Sequence, residues 1–242
     1  RLLSRGLGDV YKRQLQKQVL KGYPINWKKN LSNLPNIPTI IIANEFFDAL
    51  PIKQFVFKKN EWMEIIVSLK DYNNTKSDEL CFGLKKVKTL PQELNSFKQK
   101  ENQIYEISSE IKKNILFISK HLKKNLGACL IIDYGKNNNI GNSLQSVKNH
   151  KYSDPLKYQG ESDLSCLVNF EAIKNYSKEY NLVVTNLINQ GDFLKSLGIK
   201  ERFIALSKNM EKEKIDTHVA SLKRLIDYCL LYTSPSPRDR SL

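Results

Sequence analysis

Two short apolar runs, Ile40–Ala43 (IIIA) and Ala128–Ile132 (ACLII), constrain this chain more than any other feature. Neither run alternates apolar with polar residues. Such a run reads as a strand buried on both faces, as in a parallel sheet with helices above and below it. Each run stops abruptly in polar groups: Asn44 and Glu45, with Asp48 close behind, after the first; Asp133 and Tyr134 after the second. In open α/β sheets, ligands bind beyond the carboxyl ends of the strands. Acidic groups there can hold a cation or a guanidinium, or accept protons from hydroxyl groups. The alternative is that Asn44 or Asp48 simply caps the helix after the turn.

Around these two strands the pattern is mixed. Leu15–Leu20 reads as the tail of a helix. Ile52–Phe57 and Trp62–Leu69 read as a hairpin turning at Lys58–Glu61, followed by a polar loop at Asp71–Glu79. Apolar positions Ile104, Ile107, Ile111, Ile115, Ile118 and Leu122 predict one long amphipathic helix over Gln103–Asn125, with Gly127 as its stop. Asn137–Asn142 reads as a loop, Phe170–Tyr180 as a helix, Leu182–Thr185 as a strand and Gly191–Leu197 as a short helix. Strands separated by helices imply an α/β fold, here with a hairpin-rich insertion over about residues 52–88.

Composition narrows the classes. The chain has 242 residues, 40% hydrophobic and 26% charged, which is enough to bury a core. No apolar run approaches the ~18 residues of a membrane-spanning helix, so membrane insertion is not expected. The cysteines (Cys81, Cys129, Cys166, Cys229) form no CxxC pair, and no His/Cys/Asp set has metal-ligand spacing, so no metal is expected. Cys129, within a strand, reads as a packing residue; His121, beside lysines, reads as solvated.

The two ends read differently from the rest. Ser4–Gln14 (SRGLGDVYKRQ) and Cys229–Asp239 (CLLYTSPSPRD) can be back-translated as opposite strands of one DNA segment. They resemble translated transposon adapters used in sequencing libraries. The expectation is therefore that residues 1–14 and 229–242 are adapter translation and that Leu15–Tyr228 is the native segment, with both true ends missing. Those ends carry +4 of the formal charge of +14, leaving +10. A basic excess is one mark of a nucleic-acid partner. Here the lysines are scattered in pairs, and Lys, Asn and Ile abound together as AT-rich codons dictate, so codon bias is the favoured reading and a nucleic-acid partner is not expected.

One longer pattern remains. IIANEFFDALPIKQFVF, the EIS of Glu106–Ser108, the LIIDYG of Leu130–Gly135, SLQSVKNHKYSDPL at Ser143–Leu156, GESDLS at Gly160–Ser165, VNF at Val168–Phe170 and QGDFLKSLGIKERF at Gln190–Phe203 succeed one another along the chain. In order and spacing this succession resembles the MidA family of S-adenosylmethionine-dependent methyltransferases. The resemblance implies a Rossmann-like class I methyltransferase sheet, incomplete at the N-terminus, with Ile40–Ala43 as fourth strand and Ala128–Ile132 as fifth. It implies S-adenosyl-L-methionine as cofactor and a protein side chain as acceptor, with arginine leading because mitochondrial members resemble protein arginine methyltransferases that support assembly of respiratory complex I.

On that map Asn44, Glu45 and Asp48 are the candidate catalytic residues, with Glu45 and Asp48 orienting a guanidinium. Asp133, Tyr134, His150 and Asp163 are candidate substrate contacts. The family's glycine-rich cofactor turn is absent from the pattern, so no cofactor-binding residue is assigned and the chain alone is expected to be inactive. A bacterial cytoplasmic location is expected, with targeting left open. The rival readings are a non-catalytic binding or assembly factor of the same fold and, less favoured, a basic nucleic-acid-binding domain.

Overall fold

The computed structural model describes residues 14–27, 31, 34–70, 79–137, 140–149, 151–208 and 210–227. His150, most of the expected loop at Asp71–Glu79, and nearly all of the two stretches read as adapter translation lie outside the described residues. Along the chain, residues 14–19 form α1, followed by β1 (Thr39–Asn44), β2 (Lys53–Lys58), β3 (Glu61–Leu69), β4 (Leu80–Lys86), a 3-10 turn at Gln92–Ser96 and β5 (Ile104–Ile107). Then come α2 (Ser109–Asn125), β6 (Gly127–Ile132), β7 (Gly135–Lys136), β8 (Gln145–Lys148), β9 (Lys151–Ser153), β10 (Asp163–Ser165) and β11 (Val168–Asn169). The chain ends in α3 (Phe170–Glu179), α4 (Gln190–Ser196), α5 (Ile199–Ser207) and α6 (Lys212–Ile226). It divides into two compact units, Arg1–Val183 and Val184–Leu242.

The first unit is built around the two apolar runs. β1 and β6 lie side by side and parallel, with Ile40 opposite Ala128 and Ile42 opposite Leu130. The close approach at the start of this pair needs a glycine. Gly127 has φ +126°, and a Cβ there would sit 2.0 Å from the Thr39 carbonyl oxygen. Ile41, Ala43, Cys129 and Ile131 face α2 and α3, where Ile111, Ile115, Ile118, Leu122, Ile173 and Tyr176 make the core with Phe47 and Val168. The spacing of four, three and four along α2 is the apolar stripe of an amphipathic helix.

Burial on both faces was the expectation for β1, and the structure departs from it. Ile40 and Ile42 are 78% and 65% exposed. Alternate residues of a strand point to opposite faces, and no element among the described residues covers the face carrying Ile40 and Ile42.

Three further differences have physical causes. The helix expected over Gln103–Asn125 begins only at Ser109, because Ile104–Ile107 is drawn into antiparallel pairing with β2, Lys53 opposite Ile107 and Phe55 opposite Tyr105. No strand forms at Leu182–Thr185, a stretch that has no parallel or antiparallel partner among the described residues. His121 is buried, not solvated. Its Nδ1 lies 3.3 Å from the Asn125 amide nitrogen, a donor, so its Nε2–H donates to Thr39 Oγ1 at 3.1 Å.

The hairpin-rich stretch read over about residues 52–88 supplies β2, β3 and β4 of a four-stranded antiparallel sheet in the order β4-β3-β2-β5, whose fourth strand, β5, lies beyond it. Phe55, Phe57, Trp62 and Tyr105 share one of its faces and pack with Leu94. Trp62 meets Phe57 and Tyr105 edge-to-face at 5.3 Å, an arrangement favoured by the ring quadrupoles. In the second unit, Gly191 on α4 meets the backbone of Ile226 so closely that a Cβ would lie 2.3 Å from its carbonyl oxygen.

Candidate functional site

The carboxyl ends of β1 and β6 are joined through one side chain. Asp133, the first residue after β6, turns its carboxylate toward the turn that follows β1. Its Oδ2 accepts the backbone N–H groups of Phe46 (3.1 Å), Phe47 (2.8 Å) and Asp48 (3.3 Å), and its Oδ1 accepts that of Tyr134 (2.9 Å). Glu45 begins the turn in the left-handed region, at φ +46°, and its N–H continues the parallel ladder to the Ile132 carbonyl at 2.9 Å. A non-glycine residue held there is backbone strain of the kind that collects at functional sites.

Glu45, Asp48, Asp133 and Tyr134 are thereby brought together. The Tyr134 hydroxyl donates to Glu45 Oε1 at 3.2 Å. Burial, then the Glu45 carboxylate, push the Tyr134 phenol well above its ordinary range, so it stays protonated as the donor. Burial and the neighbouring Asp48 carboxylate push Asp133 up to about 6, against the amides that favour its ionised form. Asp48 is buried, and Asn44 ends β1 with an exposed side chain. Three carboxylates and a phenol within one turn of two strand ends can hold a cationic or hydrogen-bond-donating group.

The remaining expected contacts fall elsewhere. Asp163 starts β10 on the antiparallel strands β10-β8-β9, is exposed, and makes none of the hydrogen bonds that tie the strand-end group together.

A second layer holds the turn from behind. The Cys166 N–H donates to the Asp48 carbonyl at 2.9 Å and its thiol approaches the same oxygen at 3.4 Å. Burial, with the Glu106, Asp48 and Asp133 carboxylates adding to it, pushes the Cys166 thiol up to about 12, which keeps it a thiol and not a nucleophilic thiolate. Ser108 caps α2 by accepting the Ile111 N–H and donates its own hydroxyl to the Pro51 carbonyl at 2.8 Å, so the start of α2 is tied to the end of the turn.

Glu106 is the residue the sequence reading passed over. This buried carboxylate accepts Gln54 Nε2 at 2.8 Å, the Ser143 N–H at 2.9 Å and the Ser143 hydroxyl; the Ser143 oxygen in turn accepts the Leu167 N–H at 2.9 Å. Its place in the EIS of Glu106–Ser108 was the one signal available, and no role was drawn from it. A cleft of about 430 Å³ opens on this side and is lined in part by Glu93, Glu106, Lys112, Cys166 and Tyr176. Glu45, Asp48, Asp133 and Tyr134 are not among its walls.

No helix of the described residues is long and apolar enough to cross a membrane, and no group of three metal-ligating side chains is found among them.

Comparison with known proteins gives the family. Residues 4–188, a span that starts within the stretch read as adapter translation, match the model of a family described as putative S-adenosyl-L-methionine-dependent methyltransferases, and the chain belongs to that family. It is 30% identical over 189 residues to the mitochondrial protein arginine methyltransferase NDUFAF7 of Danio rerio, covering 78% of this chain and 44% of that protein. The corresponding homolog in Caenorhabditis elegans is 31% identical over 186 residues, covering 75% of this chain and 42% of the relative. The chain thus spans less than half the length of these curated relatives. Its fold matches a crystal structure from Burkholderia thailandensis bound to S-adenosyl-homocysteine, with a TM-score of 0.73, 18% identity, and coverage of 92% of this chain and 58% of that one. The fold is the mixed α/β fold of the class I methyltransferases.

Proposed function

We propose that the protein to which this chain corresponds transfers a methyl group from S-adenosyl-L-methionine to a protein side chain, with the arginine guanidinium as acceptor. The observation that carries the reading is the acidic turn Glu45–Asp48, pinned by Asp133 at the ends of two parallel strands. The family match and the names of the curated relatives support it.

The donor supplies a methyl group on a sulfonium sulfur. Transfer breaks the S–CH3 bond, forms an N–CH3 bond and leaves a neutral thioether, while the acceptor nitrogen gives up a proton. No side chain among the described residues is assigned to the donor. What they supply is the acceptor side. A guanidinium presents N–H donors in a planar fork that matches carboxylates, and Glu45, steadied by the Tyr134 hydroxyl, and Asp48 are the carboxylates at the strand ends. Holding the acceptor by one edge leaves its other nitrogen for attack and restricts its approach, the positioning role expected for an in-line displacement.

The test is methyl transfer from radiolabelled S-adenosyl-L-methionine to arginine-containing and lysine-containing peptides, by a protein spanning the length of the relatives. Label on arginine, lost in Glu45→Gln and Asp48→Asn with donor binding retained, is the expected result. Label on lysine alone overturns the choice of acceptor. Unchanged turnover in both variants removes these carboxylates from the site.

A further inference from the structure

We infer that β4 is a self-pairing edge, at which a second copy of this chain adds its own β4 in antiparallel register to form an eight-stranded sheet across a two-fold axis. The order β4-β3-β2-β5 leaves β4 at the outside among the described residues. Which backbone groups face outward follows from the ladder with β3. The Lys70 N–H donates to the Glu79 carbonyl and the Val87 N–H to the Trp62 carbonyl. Hydrogen-bonded pairs alternate along an antiparallel ladder. Cys81, Gly83 and Lys85 therefore turn their N–H and C=O groups to β3, while Leu80, Phe82, Leu84 and Lys86 turn theirs to the open edge.

Side chains and charges favour the same partner. Leu69 opposite Leu80, Val67 opposite Phe82 and Ile65 opposite Leu84 form an apolar ladder on one face of the hairpin. Phe82 and Leu84 remain 47% and 45% exposed. Full antiparallel overlap of two β4 strands centres on Gly83 and sets Phe82 against the partner's Leu84, with every outward backbone group meeting an outward group. It also extends the ladder into rows of four apolar side chains that cross the axis. Glu79 is already bridged to Lys70 and Lys86 to Glu61, so the charge that orients the pair is Lys85: antiparallel pairing keeps the two Lys85 side chains at opposite ends of the strands, whereas parallel pairing sets them together. An apolar edge with free backbone groups is what strand addition requires. A seven-residue edge is smaller than the roughly 1,200–2,000 Å² of a standard interface, so the dimer is concentration-dependent.

Sedimentation equilibrium of the 242-residue chain across the micromolar range tests this, and a reversible monomer–dimer equilibrium is expected. Leu84→Pro removes an N–H that β3 does not use, a position where an edge strand tolerates proline. It should weaken the dimer about tenfold or more with the far-ultraviolet circular dichroism retained. Phe82→Lys should act in the same direction through the side-chain row. Gly83→Cys in a Cys81→Ser background checks the register. A Cβ on Gly83 meets only Ser68 Oγ at 3.3 Å and Ile66 Cγ1 at 3.7 Å, and directly opposed non-hydrogen-bonded residues lie at Cα distances of about 4.5 Å, within disulfide reach. A covalent dimer under mild oxidation is expected. A chain that stays monomeric throughout, a dimer indifferent to Leu84→Pro, or failure of Gly83→Cys to cross-link overturns the inference.

Discussion

Asp133 accepts four backbone N–H groups, an arrangement that on its own favours a carboxylate. Burial and the Asp48 charge nevertheless push its carboxyl from the ordinary 3.8 up to about 6. The folded state therefore holds this proton more tightly than the unfolded state does. Its contribution to stability is fully present below pH 3.8 and is lost as the pH rises through about 6. Urea midpoints of the natural chain should accordingly fall relative to those of Asp133→Asn between those two values, and a pH-independent difference contradicts the assignment. Asp133→Ala goes further. It strands the amides of Phe47 and Asp48 in buried surroundings, and unfolding titrations at neutral pH should show a loss of about 2–4 kcal/mol. The pairing of these acids was legible in the sequence, because both apolar runs break off at polar residues and parallel strands end on the same side. The partners of Glu106 were not. Gln54 lies 52 positions away and Ser143 lies 37 away, and nothing local distinguishes a buried, satisfied carboxylate from a solvated one. His121 was misjudged for the same reason, since its lysine neighbours in sequence are not its neighbours in space.

The helix α2 shows how periodicity and pairing compete. Ile104 and Ile107 fit the three-and-four spacing of the helix that follows, yet they also fit a short strand, and the edge of β2 decides between the two. Ser108 marks the changeover through its cap on Ile111 and its bond to Pro51. Ser108→Ala should lower stability by about 1–2 kcal/mol, the range for a lost N-cap, read as a drop in thermal midpoint; Ser108→Asp should restore part of it by capping without the Pro51 bond. The far end of α2 carries a steeper penalty. Gly127 was read as a helix stop, but its larger constraint is the Thr39 carbonyl against its Cα. Gly127→Ala meets backbone there and also a φ that L side chains avoid, so it should force β1 and β6 apart at their start. Loss of most soluble, cooperatively unfolding protein is the expected outcome, and a variant within 1 kcal/mol of the natural chain, about the penalty of an ordinary glycine substitution, refutes the argument. The hairpin β2–β3 was legible because its turn and alternation are local. The two-residue strands β7 and β11 were not, since they exist only through each other, 33 positions apart, Val168 opposite Gly135.

The chain as a whole is two compact units joined by a stretch with no regular structure, and that division has a direct consequence. The first core is sealed by α2 and α3 against one face of β1 and β6, and Leu182 is the last residue that packs on it. In the second unit the first helix is α4, where Gly191 meets Ile226. Between them residues 182–189 form no helix or strand, Val183 is 99% exposed, and Leu187 and Ile188 are exposed as well. Proteases need an extended, accessible segment, which packed helices do not offer without local unfolding. Brief digestion with elastase, which cuts after small aliphatic residues, should therefore cleave near Val183 and Val184 before it cleaves within α2, α3 or α6. Mass spectrometry should then find a product that starts at residue 184 or 185 and contains α4 to α6. The larger product should keep the near-ultraviolet signal of the Phe57–Trp62–Tyr105 cluster, because all three rings belong to the first unit. Survival of the Val183 segment while α3 or α6 is cut contradicts the division. Loss of the aromatic signal on cleavage shows instead that the first unit does not stand without the second.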